Sequence, residues 1–366
     1  MTAPTADRPV APARVERVDT LIVGAGQAGL AAGYHAMRRD DDVLLLDAGS
    51  AVGQSWRDRW DSLRLFTPAA HNHLPGMPFP APPHHRPDKD EAADYLARYA
   101  DRFELPIRHD TRVTSATWHG GRFVVESSTG RYESRQLIVA TGPYARPTLP
   151  AWHRELDLAI TQLTTLSYRS PFALPSGPVL VVGAGNSGAQ IALELARTHK
   201  VWLAGRDTGS LPRRLLGRDL FDWFGPVLRG LPIDRGLGAA LRRRMAGGDA
   251  LVGFGNAELA AAGVVRVPRV EGVSAGMPRA GDTVLEPSTI IWCTGLRPAH
   301  EWLPSGALDG EGRAMHRYGL STTIPGLAYV GLRHQRRLAS SLLGGVGADA
   351  GFVVQALADP ALGGHG

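Results

Sequence analysis

Two stretches of the chain repeat one pattern of apolar and small residues. In each, a short apolar run predicts a buried strand, a glycine-rich loop follows, and helical periodicity begins directly after the loop. The first stretch covers residues 18–47, with the apolar run Leu21 to Val23 and a helix predicted from Gln27 to Arg39. The second covers residues 178–206 and opens with the run Val179 to Val182. The pattern predicts two separate βαβ units.

Between the two units, the pattern of apolar and polar residues changes. Residues 50–87 form a long proline-rich stretch, and loops of this length inside a compact domain are usually functional. A helix is predicted from Lys89 to Phe103, and residues 111–140 alternate like a three-stranded meander. The last strand, Gln136 to Ala140, runs into Ala140-Thr141-Gly142, where small residues let a ligand approach the backbone closely.

Both glycine-rich loops have the GxGxxG spacing of dinucleotide-binding turns, with glycines at Gly24, Gly26 and Gly29 and at Gly183, Gly185 and Gly188. The residue 23 positions after the first glycine is Asp47 in one unit and Arg206 in the other. A carboxylate there accepts hydrogen bonds from a ribose 2′-OH, whereas an arginine binds a 2′-phosphate. The first unit is therefore predicted to bind FAD and the second NADPH. Because Asp207 follows Arg206, NADH stays open as an alternative.

The order of these units predicts an α/β fold in which one Rossmann-like dinucleotide-binding domain is inserted into another, with a β-meander. A strand from Ser288 to Cys293 is followed by Thr294-Gly295, which repeats the pattern at Thr141-Gly142. The predicted divisions are a disordered tail at 1–16, an FAD-binding domain at 17–148 plus 287–366, and an NAD(P)-binding domain at 149–286 with a helical segment at 211–256.

Composition excludes several classes of protein. At 366 residues with 43% hydrophobic and 20% charged residues, the chain has an ordinary globular composition. No apolar run reaches the roughly 18 residues of a membrane span, and the Pro/Ala-rich start lacks a signal-peptide core, so we expect a cytoplasmic protein without a membrane partner. The net charge of +5 comes from scattered arginines without interleaved aromatic residues, which does not favour nucleic-acid binding.

The cysteine and histidine content argues against thiol redox chemistry and against a metal site. Cys293 is the only cysteine, which rules out an internal disulfide or a redox dithiol. The histidines of the proline-rich stretch, at positions 71, 73, 84 and 85, lack carboxylate or thiol partners at ligand spacing, so no metal site is expected.

Taken in order, the motifs resemble those of the class B flavoprotein monooxygenases, the flavin-containing and Baeyer–Villiger enzymes, and most closely their short bacterial members. The matching elements are VGAGQAG, LLLDAG, VGQSW with Trp56, SLRLFTP, LPGMPFP, ATG at 140–142, VGAGNSG and WCTGLRP. The resemblance implies an NADPH-dependent flavoprotein that forms a C4a-hydroperoxyflavin with O2 and oxygenates a small nucleophile or ketone. The family fingerprint before the second loop is reduced here to its aromatic residue, Tyr168.

The motifs and the resemblance together predict a set of cofactor-binding residues and no catalytic side chain. Besides the six loop glycines, Asp47 and Arg206, the set contains Gln27, Ala48, Gln54, Ser55, Trp56, Arg64, Val113, Ala140, Thr141, Gly142, Asn186, Ser187, Thr294, Gly295, Gly331, Ser341 and Leu342. The predicted partners are a small-molecule substrate and O2, and a homodimer is left open. Two alternatives to oxygenation remain: an NAD(P)H-dependent flavin reductase or oxidase, and a nucleotide-binding redox sensor.

Overall fold

The computed structural model describes residues 15–245 and 248–359. Its helices are α1 (Gln27–Met37), α2 (Gln54–Arg57), α3 (Lys89–Arg102), α4 (Asn186–Leu195), α5 (Leu220–Gly230), α6 (Gly236–Met245), α7 (Asn256–Ala261) and α8 (Val346–Ala358). Short 3₁₀ turns occur at Ala69–His71, Ala151–Glu155 and Pro171–Ala173.

The strands alternate with these helices along the chain. In chain order they are β1 (Val15–Val23), β2 (Val43–Leu46), β3 (Ile107–Arg108), β4 (Val113–His119), β5 (Arg122–Ser127), β6 (Arg131–Val139), β7 (Arg146–Pro147), β8 (Thr161–Thr164), β9 (Val179–Val182), β10 (Val201–Ala204), β11 (Ser210–Leu211), β12 (Arg214–Leu215), β13 (Arg218–Asp219), β14 (Leu251–Val252), β15 (Val265–Val267), β16 (Val270–Ser274), β17 (Met277–Ala280), β18 (Thr283–Val284), β19 (Thr289–Trp292), β20 (Leu296–Arg297), β21 (His316–Arg317), β22 (Leu320–Ser321) and β23 (Leu327–Tyr329).

The first sheet has its parallel centre in β1, which pairs with β2 on one side and β6 on the other. Its order is β21-β22-β23-β6-β1-β2-β3, and β4 and β5 join it as an antiparallel meander on β6. The meander predicted from the alternation at 111–140 is confirmed. Its first turn uses Gly120 and Gly121, whose φ angles of 59° and 77° suit glycine in a tight hairpin.

The second sheet is parallel throughout, with the order β15-β10-β9-β19-β8. The strands β9 and β2 are fully buried apolar runs, as expected where helices cover both faces of a parallel sheet. Each sheet thus forms a Rossmann-like layer, and the predicted α/β fold with two dinucleotide-binding units is confirmed.

Two predicted boundaries differ from the structure. The strand β1 starts at Val15, inside the predicted tail, because its first residues pair with Arg131 and Tyr132 of β6; residues 1–14 lie outside the described part of the chain. The strand β19 belongs to the second sheet, where it pairs with both β8 and β9, so the chain returns to the first sheet after Trp292 and not at residue 287. The sequence pattern alone could not distinguish the two sheets, because both contain short apolar strands that end in small residues.

The chain crosses between the two sheets twice, and the two crossings lie side by side. The strands β7 and β20 pair antiparallel, with Leu296 opposite Pro147 and Arg297 opposite Arg146. The backbone N–H of Thr148 donates to the carbonyl of Gly295 at 2.9 Å, which extends this two-stranded ribbon by one bond.

Candidate cofactor and active site

Each glycine-rich loop ends at a helix whose first-turn N–H groups have no side-chain cap. The N-caps of α1 and α4 are Gly26 and Gly185, neither of which supplies a side-chain hydrogen bond, and neither helix has an acidic residue in its first turn. By contrast, α3 begins with a full capping box between Asp88 and Glu91. Free N–H groups at the positive end of a helix form a binding site for phosphate oxygens.

The three glycines of each loop have different physical roles. A Cβ on Gly29 would lie 1.7 Å from the carbonyl oxygen of Gly24, and one on Gly188 would lie 1.8 Å from that of Gly183. The first glycines adopt φ angles of +104° and +111°, which other residues rarely tolerate. The middle glycines, Gly26 and Gly185, have open space where a Cβ would stand, so their absence of a side chain clears room for a ligand.

A cavity of about 860 Å³ opens in front of the first loop. Its volume lies in the upper part of the range of about 300–1,000 Å³ for ligand sites. Predicted residues in its wall are Gly24, Gly26, Gln27, Asp47, Ala48, Ser55, Trp56, Val113, Ala140, Thr141, Gly142, Ser187, Gly331 and Ser341. The structure therefore brings together residues from both ends of the chain, and the Nε2 of Gln27 donates to the carbonyl of Ser341 at 2.8 Å.

Polar atoms without partners lie in the same wall. The hydroxyl of Thr141 and the indole N–H of Trp60 are buried, and neither has a hydrogen-bond partner among the described residues. Both residues line the cavity. Because an unpaired buried donor is destabilising, these two groups suit a polar ligand that enters the cavity, and the residues present fit a dinucleotide.

Asp47 lies at the end of β2, facing the first loop. Its Oδ2 accepts from the backbone N–H of Ala25 at 2.5 Å, and its Oδ1 accepts from that of Gly49 at 2.8 Å. A carboxylate has further lone pairs on both oxygens, so it can hold the loop and still accept from a ribose hydroxyl.

Some predicted residues do not line this cavity. Gln54 donates to Asp58 at 2.8 Å, and Arg64 is exposed, where its guanidinium donates to the carbonyl of Arg86 at 3.3 Å. Leu342 is half-buried and also lies outside the wall. Gly29 and the remaining predicted residues of the second unit, apart from Ser187, are absent from this wall as well.

The side chain of Asn186, one of the predicted cofactor-binding residues, lies at the start of α4. Its Nδ2 donates to the carbonyl of Ala250, and its Oδ1 accepts from the N–H of Val252, both at 3.1 Å. The side chain therefore fastens the start of α4 to β14, and its amide groups are engaged by the backbone.

Arg206 is exposed just beyond the end of β10. The neighbouring Asp207 faces its own turn: one oxygen accepts from the N–H of Gly209 at 2.8 Å and the other from Asn256 at 2.7 Å. These hydrogen bonds lower the pKa of Asp207. A second cation, Arg266, donates to the carbonyl of Gly205 at 3.1 Å, so two arginines flank the end of β10.

Sequence reasoning missed several residues of the cavity wall, namely Arg59, Trp60, Tyr144, Arg146, Thr165 and Trp302. Trp60 lies beyond α2, which ends at Arg57, so no helical spacing links it to Trp56. All six residues lie in turns, loops and crossings that have no periodic signal. Arg266 was missed because it lies 60 residues from Arg206 in the chain.

The remaining candidates are structural. Burial raises the pKa of the Cys293 thiol to about 12, which keeps it protonated and unreactive. Tyr168 is fully buried and donates to Glu194 at 2.9 Å. Asn72 is buried against Thr67, to whose carbonyl its Nδ2 donates at 2.9 Å. No group of three or more His, Cys, Asp or Glu side chains suited to a metal occurs within the ranges that the structure covers.

A family model described as pyridine nucleotide-disulphide oxidoreductase matches residues 21–214. The chain belongs to this family. It is 37% identical to the uncharacterized oxidoreductase CzcO-like of Geobacillus kaustophilus over 92% of this chain and 97% of that protein. It is 33% identical to indole-3-pyruvate monooxygenase YUCCA1 of Oryza sativa over 58% of this chain and 54% of that protein.

Among solved structures, the flavin-containing monooxygenase from Stenotrophomonas maltophilia is similar, with a TM-score of 0.78, 27% identity, and coverage of 95% of this chain and 100% of that one. The resemblance to class B flavoprotein monooxygenases, the assignment as an oxidoreductase and the cofactor pair FAD and NADPH are thereby confirmed. The disulphide chemistry in the family description does not extend to this chain, because it has one cysteine.

Proposed function

We propose that the protein uses NADPH and O2 to insert one oxygen atom into a small soft nucleophile or ketone, with the second oxygen leaving as water. Two electrons and one proton come from NADPH and a second proton from solvent, so the substrate gains one oxygen atom and NADP⁺ is released. The observation that carries the proposal is the position of Ser187. It lies in the first turn of α4 in the second unit, and it lines the same cavity as Gly26 and Asp47 of the first.

FAD, when bound, accepts hydride and activates oxygen, and the chain supplies binding and exclusion of water. The open first turn of α1 binds the pyrophosphate, while Asp47 accepts from the ribose. Trp56 and Trp60 cover one side of the cavity with large apolar surfaces. A dry wall of this kind prevents water from entering the site during the reaction.

For the nicotinamide cofactor, we propose that Arg206 and Arg266 hold the 2′-phosphate. Arg206 follows β10, and Arg266 lies on the neighbouring strand β15, where its guanidinium donates to the carbonyl of Gly205. Asp207 is engaged by Gly209 and Asn256. A second cation beside the first favours the doubly charged 2′-phosphate, which supports a preference for NADPH over NADH.

The oxidase alternative rests on the fingerprint before the second loop, of which this chain keeps only Tyr168. The Tyr168 side chain is buried, and its hydroxyl donates to Glu194 at 2.9 Å. The two functions differ in where the oxygen goes, either into a substrate or into hydrogen peroxide.

The decisive experiment measures incorporation of oxygen into the substrate and consumption of NADPH in the same reaction. The FAD-loaded protein is mixed with NADPH and ¹⁸O2 in the presence of methyl phenyl sulfide or cyclohexanone. We expect one ¹⁸O atom in the product for each NADPH consumed and little peroxide. If peroxide accounts for all of the NADPH with both probes, the oxidase alternative replaces the monooxygenase. The Gly185→Ala variant serves as a control that retains FAD and consumes NADPH slowly.

A further inference from the structure

One segment carries most of the net charge of the protein. Residues 208–256 contain eight arginines and four aspartates, a net charge of +4 in a chain whose net charge is +5. The aspartates already have partners: Asp219 pairs with Arg213, Asp222 with His71, Asp234 with Tyr318 and Asp249 with Arg333. The exposed arginines are Arg214, Arg218, Arg235, Arg242, Arg243 and Arg244. This surface is therefore strongly positive.

The same segment exposes a continuous apolar face. Its members, here called the Leu215–Val227 face, are Leu215, Leu216, Trp223, Phe224 and Val227, all of them exposed. The indole N–H of Trp223 donates to the carbonyl of Leu215 at 3.1 Å, which joins the β12–β13 hairpin to α5. The guanidinium of Arg218 lies 5.6 Å from the centre of the Trp223 ring, so charge and apolar surface are in direct contact.

The opposite side of α5 is packed against the first domain, so its exposed side is held in place. Phe221 is buried with its ring 5.9 Å from that of Phe66, and Asp222 pairs with His71 at 3.0 Å. Asp222 and Arg229 lie on the polar side of α5, where both contact His71. The apolar stripe of an amphipathic helix normally faces a partner. On α5 the part of that stripe formed by Trp223, Phe224 and Val227 is exposed in the described part of the chain.

The tip of the hairpin carries the clearest sign of an external partner. Leu216 is 85% exposed and has a φ of 50°, in the left-handed region that favours glycine. A large apolar side chain at such a turn adds strain, and Leu216 gains little burial from the described part of this chain. Its burial against another surface would give that side chain a role.

We propose that the Leu215–Val227 face docks on the surface of an anionic lipid bilayer without crossing it. Leucine, tryptophan and phenylalanine beside arginines match the interface of such a bilayer, where apolar side chains enter the acyl boundary and cations meet the headgroups. A second copy fits less well, because a two-fold contact would bring two copies of the same positive surface together. The proposal revises the expectation that the protein has no membrane partner, and it is independent of the reaction catalysed.

The test measures sedimentation of the FAD-loaded protein with vesicles. We expect binding to vesicles of equal parts phosphatidylcholine and phosphatidylglycerol at 150 mM salt, and little binding to phosphatidylcholine alone. Leu216→Gly removes the apolar tip and suits the left-handed turn, so it preserves the fold. It should weaken binding by roughly fivefold or more, since the lost contact is apolar. Phe172→Ser, a change at a side chain that is 91% exposed outside the segment, should leave binding unchanged.

Two outcomes would overturn the proposal. Equal vesicle binding by wild type and Leu216→Gly would mean that attraction arises from net charge alone. A wild-type dimer that Leu216→Gly converts to a monomer in sedimentation velocity, with no vesicle binding, would make the face an interface between copies. Hydrogen exchange gives a second readout: vesicles should slow exchange in residues 215–227 of the wild-type protein.

Discussion

The Oδ2 of Asp47 accepts a hydrogen bond from the backbone N–H of Ala25, across the gap between β2 and the first glycine-rich loop. One carboxylate thus holds the loop proposed to bind the pyrophosphate and stands at the position proposed to bind the ribose. On this proposal, loop geometry and nucleotide recognition depend on the same side chain.

Asp47→Asn should raise the Kd for FAD by roughly 10- to 100-fold. Hydrogen bonds to a charged acceptor contribute about 1.5–3 kcal/mol, and the amide would turn N–H groups toward donors. The measurement is quenching of flavin fluorescence on titration of the apoprotein. Asp101→Asn, at an exposed position of α3, is the matched control and should leave the Kd unchanged. An unaltered Kd in Asp47→Asn would remove Asp47 from the binding site.

Alanine substitutions in the loops should separate cofactor binding from folding. Gly26→Ala places a methyl group in open space, so the apoprotein should keep its Tm while the Kd for FAD rises by at least about tenfold. Gly29→Ala meets the carbonyl of Gly24 and should lower the Tm of the apoprotein by several degrees. Thermal denaturation and flavin titration of both variants check this. Tight FAD binding by Gly26→Ala would contradict the pyrophosphate assignment.

Arg206→Ala should raise the KM for NADPH by roughly 10- to 100-fold and change that for NADH by less than about twofold. The reason is that only NADPH carries the 2′-phosphate. Steady-state kinetics with both coenzymes measure the ratio of the KM for NADPH to the KM for NADH. Arg266→Ala should raise this ratio as well. Arg269→Ala, further along the chain, serves as the control and should leave it unchanged. Equal loss with both coenzymes would contradict the phosphate assignment.

Asp349→Asn should stabilise the protein increasingly as pH rises. Asp349 is fully buried in α8, its nearest cation is the Nη1 of Arg336 at 3.8 Å, and burial raises the pKa of its carboxyl. A raised folded-state pKa means that the folded protein binds the proton more tightly, so stability falls as pH rises from the unfolded value through the folded one. The Tm difference between Asp349→Asn and wild type should grow from pH 4 to pH 8. A difference independent of pH would show that Asp349 does not titrate in this range.

The repeated βαβ pattern was sufficient to predict the fold. Strands, loop glycines and the position of Asp47 follow local rules, because a parallel strand, a tight turn and a helix start each have their own residue preferences. The structure agrees with these predictions for β1, β2, β9 and α3. What local rules could not supply was sheet membership, as the position of β19 illustrates.

The orientation of individual side chains was less predictable than the secondary structure of the backbone. The residues next to Asn186 in the sequence are the same whether its side chain faces a phosphate or a strand. Its contacts with Ala250 and Val252 join residues more than 60 positions apart. Arg64 could equally have faced the cavity. Its exposure depends on how residues 50–87 fold over the first sheet, which no short-range pattern encodes.

The paired crossings β7 and β20 have a mechanical consequence. Both connections between the two sheets run in one hydrogen-bonded ribbon, so any reorientation of the two units would bend or twist that ribbon as a whole. Arg146 and Leu296 of that ribbon also line the cavity. Such a movement would change the cavity wall, and we therefore expect exchange of the nicotinamide cofactor to alter the surroundings of the proposed flavin.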